Sequence, residues 1–90
     1  MINVGDVVMS ISGHDRGELY IVVKNDERFA YVSDGRLKPV SNPKKKNIKH
    51  INKIGKSDEF IELLNNNMLT DVKLKYLLKR WRSRCLNQTL

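Results

Sequence analysis

Val4-Gly5-Asp6-Val7-Val8-Met9-Ser10-Ile11-Ser12-Gly13-His14-Asp15-Arg16-Gly17-Glu18-Leu19-Tyr20-Ile21-Val22-Val23 is the stretch that decides the fold. From Val7 to Ser12 the odd positions are apolar and the later even ones polar, the period of a half-buried strand. Ser12 to Gly17 then holds two glycines and an Asp, the composition of a tight loop with positive φ. Leu19 to Val23 is β-branched and aromatic and reads as a second strand.

The same rhythm continues downstream. Lys24 to Glu27 reads as a polar turn, Arg28 to Ser33 as a third strand, and Asp34-Gly35 as a tight turn. A short strand is expected around Leu37-Lys38-Pro39-Val40, at an edge because proline cannot donate to a ladder. Ser41-Asn42-Pro43 opens a loop, and Ile48 to Ile54 supplies a fifth strand. Short strands at intervals of about ten residues predict a small five-stranded barrel.

After residue 56 the period changes to helical. Ser57 reads as an N-cap with Asp58 and Glu59 in the first turn, and Phe60, Ile61, Leu63 and Leu64 mark a short amphipathic helix. Asn65-Asn66-Asn67 breaks it. Thr70 and Asp71 start a second helix, on which Leu74, Leu77, Leu78, Trp81 and Cys85 share one face. Trp81 is expected to pack on the barrel or the shorter helix. The predicted organisation is a barrel over residues 1–54, including the basic segment 36–56, and a helical appendage over 57–90.

The chain has 90 residues and a formal net charge of +7, unevenly distributed. Residues 1–35 hold three cations against six carboxylates, a net −3. Residues 36–56 hold eight cations (Arg36, Lys38, Lys44, Lys45, Lys46, Lys49, Lys53 and Lys56) and no carboxylate. Residues 57–90 carry a net +2, from Lys73, Lys75, Lys79, Arg80, Arg82 and Arg84 against four acids. A concentrated basic segment favours a polyanionic partner, because each neutralised phosphate releases counterions. Charge alone does not separate RNA from DNA.

The segment Val4 to Gly35 resembles a KOW motif in Gly5-Asp6-Val7-Val8, in Ser12-Gly13-His14-Asp15-Arg16-Gly17, in the apolar run Leu19 to Val23 and in the closing Asp34-Gly35. Pro43-Lys44-Lys45-Lys46-Asn47-Ile48-Lys49-His50-Ile51 is similar to the stretch after the motif in small bacterial KOW-domain proteins. Those proteins are related to archaeal and eukaryotic large-subunit ribosomal proteins with an N-terminal KOW domain. The resemblance covers about residues 2–54, and the helical tail matches only loosely. It implies an SH3-like five-stranded barrel, RNA binding and a ribosomal or ribosome-associated setting, with ribosomal RNA as the expected partner and ribosomal proteins as neighbours. Carried over residue by residue, it points to His14, Arg16 and the lysines from Lys44 onward.

The candidate RNA-binding residues are therefore His14, Arg16, Arg36, Lys38, Lys44, Lys45, Lys46, Lys49, His50, Lys53 and Lys56, with Arg80 and Arg84 from the last helix. Each has an ordinary alternative. Asp15 fits a turn cap with Arg16 paired to it or to Glu18, and the helix cations fit a solvated face. Tyr20 and Tyr31 fit either base stacking or core, while Phe29 is expected in the core. The alternative function is a protein-interaction module, acting through a sheet edge or the helical tail.

Catalysis and cofactors find no foothold in the sequence. Cys85 has no histidine at a catalytic spacing, the two histidines and one cysteine form no metal pattern, and no phosphate loop ending in Lys-Ser/Thr is present. The expectation is a non-enzyme without a metal, cofactor or small-molecule substrate. One cysteine, no apolar run long enough for a span and no signal-like N-terminus predict a cytoplasmic protein free of membrane.

Overall fold

The structure is a computed structural model, and it describes residues 1–88. Five strands form one antiparallel sheet: β1 (Asp6–Ser10), β2 (Leu19–Asn25), β3 (Phe29–Ser33), β4 (Lys44–Asn47) and β5 (Ile51–Lys56). Two helices follow, α1 (Asp58–Asn65) and α2 (Asp71–Gln88). The sheet order is β4-β3-β2-β1-β5, so β4 and β5 are its two edges and the sheet is open. No helix among the described residues is long and apolar enough to cross a membrane.

β1 and β2 are buried on both faces, not one. In register, Val7 faces Ile21, Val8 faces Tyr20 and Met9 faces Leu19. Val7, Leu19 and Ile21 join Phe60 of α1 and Leu74, Leu77 and Leu78 of α2 in one core cluster. Val8, Tyr20 and Val22 turn the other way and meet Ala30, Val32 and Ile51 in a second. The helices thus share a core with the sheet they follow. β1 also stops at Ser10, and Ile11, expected within the strand, is exposed.

The expected strand around Leu37 to Val40 does not form. Its backbone groups are taken by side chains: Asp34 Oδ1 accepts from the N–H groups of Arg36 (2.8 Å) and Lys38 (2.9 Å), Ser33 Oγ donates to the Lys38 carbonyl (2.6 Å), and Asp71 Oδ1 accepts from Val40 N–H (2.8 Å). The fourth strand is instead the lysine run, where Lys44, Lys45, Lys46 and Asn47 pair with Val32, Tyr31, Ala30 and Phe29. Ile48–His50 is a 3-10 turn and not strand, and β5 begins only at Ile51.

The helix readings hold. Ser57 caps α1, its hydroxyl accepting from Phe60 N–H at 3.1 Å, with Asp58 and Glu59 in the first turn. Trp81 and Cys85 pack against the helix–sheet core, and Trp81 lies directly over Gly55 of β5, where a Cβ would meet its ring at 2.7 Å. Removing the cap by Ser57→Ala should cost about 1 kcal/mol, read from urea unfolding midpoints. An unchanged midpoint would show that α1 is held by the Phe60 anchor alone.

Candidate nucleic-acid interface

A cleft of about 690 Å³ opens between the sheet and α2. Its lining includes Arg36 and Lys38 from the β3–β4 loop, Lys44 from β4, and Lys75, Lys79 and Arg82 from α2. Against these six cations stand Asp15, Glu18 and Asp34, leaving a net +3, with His14, Tyr20 and Leu37 completing the wall. Positions 75, 79 and 82 are spaced i, i+4 and i+7, so one helix face brings three cations to one side.

Two contacts clamp the β3–β4 loop to α2. One is the Asp71–Val40 hydrogen bond. The other is the close approach of Gly35 (φ +72°) to the first turn of α2, where a Cβ would overlap the Asp71 carbonyl oxygen and lie 3.0 Å from Lys75 N. Arg36 and Lys75 therefore face one concavity because the glycine next to Arg36 packs against a helix turn distant in sequence.

Behind the cleft wall lies a buried polar network. Lys46 is only 7% exposed, and its Nζ donates to Asp15 Oδ1 (2.8 Å) and Ser10 Oγ (2.9 Å). The Tyr20 hydroxyl donates to Asp15 Oδ2 (2.8 Å), and the Ser10 hydroxyl lies 2.8 Å from Asp15 Oδ1. Lys44 Nζ reaches Asp15 Oδ2 from outside at 3.5 Å. Burial works to raise the Asp15 pKa, but the hydrogen bonds from Lys46, Tyr20 and Ser10, with the Lys46 charge, outweigh it and hold the carboxyl well below the usual carboxylate range. Burial, and then the hydrogen bond and charge of Asp15, push the Tyr20 phenol above the usual tyrosine range.

This network corrects two readings of the loop and the lysine run. Lys46 is an interior residue, because strand alternation turns it inward between Lys45 and Asn47. Asp15 is neither a turn cap nor a partner of Arg16; it is the counter-charge of Lys46 and Lys44. Tyr20 belongs to the core, 1% exposed, whereas Phe29, expected there, is only half-buried and lies outside both clusters.

The remaining candidates are dispersed. His14, Arg36, Lys38 and Lys44 line the cleft, with Lys38 Nζ 5.1 Å from the centre of the Tyr20 ring. Arg16 is exposed beside the cleft lining but not part of it. Lys45 lies over the Phe29 ring at 4.1 Å, away from the cleft. Lys49, His50, Lys53 and Lys56 follow along the 3-10 turn and β5, all exposed, with Lys53 3.4 Å from Asp6. Arg80 pairs with Glu59 and Arg84 stacks on Trp81, so both sit on a different face of α2 from the cleft cations. Lys75, Lys79 and Arg82 were legible as a spacing but not as a site until the sheet opposite them was placed.

No protein-family model matches this chain, and no curated protein matches it.

Proposed function

We propose that this chain binds RNA, holding phosphates in the basic cleft between the β3–β4 loop and α2, as a ribosomal or ribosome-associated protein of the cytoplasm. The observation that carries the reading is the gathering of six cations from three separate segments onto one concavity. A concave wall with net positive charge raises the local field and suits closely spaced phosphates of folded RNA. The resemblance of Val4 to Gly35 to a KOW motif, with its SH3-like barrel, points the same way. On this reading the protein acts by binding and performs no catalysis.

The test uses Arg36→Glu, Lys75→Glu and Lys79→Glu together, exposed cleft residues outside the buried network. Lys46 is left intact, since a carboxylate there would face Asp15 at hydrogen-bonding distance. Affinity for ribosomal RNA fragments should fall at least tenfold, and the slope of log affinity against log salt should flatten by about two. Equal affinity and an unchanged slope in the triple variant would remove the cleft from the interface.

A second reading, a protein-interaction module, draws on one observation. Met68, Val72 and Tyr76 are large, apolar and exposed in and just before α2. Ribosome co-sedimentation that survives the triple cleft variant but not Val72→Asp/Tyr76→Asp would favour it.

A further inference from the structure

β3 alternates between two surfaces. Ala30 and Val32 enter the core, while Phe29 and Tyr31 point to the opposite face and belong to neither core cluster. The helix–sheet core takes in Leu19, Ile21 and Val23 of β2 but neither Phe29 nor Tyr31 of β3. Two aromatic rings, two residues apart and so separated by about 6.8 Å along the strand, are left half-exposed side by side.

Each ring has a lysine above it. Lys45 Nζ lies 4.1 Å from the Phe29 ring centre, and Lys24 Nζ lies 5.5 Å from that of Tyr31. Lys24 reaches this position because the β2–β3 ladder slips between Val22 and Lys24, so that Lys24 and not Val23 stands opposite Tyr31. Beside Phe29 is a hollow of about 340 Å³ bordered by Asp26, Glu27 and Arg28. Asp26 fixes its shape by accepting from the N–H groups of Arg28 (2.9 Å) and Phe29 (2.8 Å), which also hold its carboxyl below the usual range. Asp26 and Glu27 exceed Arg28 by one charge on this rim, which gives phosphate no net attraction there, and the Phe29 ring is the part of the hollow that suits a flat, uncharged group.

We propose that Phe29 and Tyr31, flanked by Lys45 and Lys24, form a stacking surface for unpaired bases of a single-stranded RNA segment. This inference rests on the RNA-binding reading and extends it to a second surface. Bases replace the ammonium groups on the ring faces, and the freed lysines turn to the phosphates on either side. Neighbouring residues of β4 then serve both surfaces, Lys44 on the cleft and Lys45 on the aromatic face. The ligand so defined is a folded RNA with a splayed single-stranded stretch, a form in which base faces are available to aromatic side chains.

The experiment compares two fluorescent ligands by anisotropy, an oligouridylate of about ten nucleotides and an abasic ribose-phosphate oligomer of equal length. Phe29→Leu/Tyr31→Leu keeps apolar cover on the sheet while removing both rings, and its melting curve checks that the fold persists. The double variant should lose at least about tenfold in affinity for the oligouridylate and change by less than about twofold for the abasic oligomer. Tyr31→Phe, which keeps the ring, should bind both ligands like the parent protein. Unchanged oligouridylate binding in the double variant would overturn the stacking surface, as would equal losses for both ligands. If the double variant fails to fold, Lys24→Gln/Lys45→Gln replaces it. Loss of affinity with the base preference intact supports the flanking role, and an unchanged affinity overturns it. If the parent protein binds neither oligomer nor ribosomal RNA fragments, the RNA-binding reading falls and this inference with it. Binding of ribosomal RNA fragments alone overturns only the stacking surface.

Discussion

Asp15→Asn is expected to destabilise the protein by about 3 kcal/mol, lowering the melting temperature by roughly 12–24 °C. The substitution preserves shape but turns one of the two accepting oxygens into an NH2 donor, and it leaves the Lys46 ammonium without its counter-charge in a site 7% exposed. Removing one partner of a buried pair typically costs about 3–5 kcal/mol, and the lower end applies because the network borders the cleft. Lys46→Met added to Asp15→Asn should restore part of the loss, since the remaining hydroxyls and amide can satisfy one another without a buried charge. Urea unfolding of the two single variants and the double measures the coupling. A single Asp15→Asn variant within 1 kcal/mol of the parent would show that water, and not Asp15, compensates Lys46.

The same carboxylate is expected to weaken the fold in acid. Its folded pKa is depressed, so its contribution is complete above the unfolded value near 4 and is lost as pH falls from about 4 toward the folded value. Below about pH 4, stability of the parent should drop more steeply than that of Asp15→Asn. Parallel curves would contradict the assignment.

The second large effect is expected at Gly35. Gly35→Ala places a methyl against the Asp71 carbonyl and the Lys75 amide while forcing a side chain into the left-handed region. About 1–2 kcal/mol of backbone strain adds to about 1–3 kcal/mol of overpacking, for a total near 3 kcal/mol. Gly17→Ala is the control: its φ is +92° but nothing lies within 4 Å of the added carbon, so only the strain remains. Because Gly35 joins the two walls of the cleft, Gly35→Ala should also weaken RNA binding under conditions where it is still folded. Equal melting temperatures for the two glycine variants would mean that α2 shifts away at little cost.

How far the sequence revealed this molecule depends on which forces act locally. β2, β3 and both helices were legible because side-chain period, turn residues and the Ser57 cap act within a few positions. β4 was not. Lysine is depleted in strands, and Lys44–Asn47 is extended because the β3 backbone pairs with it. Leu37 to Val40 misled for the converse reason, since the alternation suits a strand but Ser33, Asp34 and Asp71 claim its backbone groups. Once β4 is known to be a strand, parity puts Lys44 and Lys46 on one face, and the Asp15–Ser10 partners draw only Lys46 inside. The cleft was half legible: the β3–β4 loop cations were evident from charge, whereas Lys75, Lys79 and Arg82 needed the packing of α2 to choose between helix faces.

The open sheet has a further consequence, which does not depend on any ligand. An open sheet offers two unpaired backbone edges on which another copy of the chain could continue the ladder, the usual beginning of sheet-to-sheet aggregation. Here one edge is Lys44-Lys45-Lys46 and the other carries Lys53 and Lys56. An incoming strand of the same protein would bring lysine against lysine, and Lys46 turns its charge inward, one of the devices that discourage such pairing. The lysines that give this small protein its basic segment thus also guard the borders of its sheet.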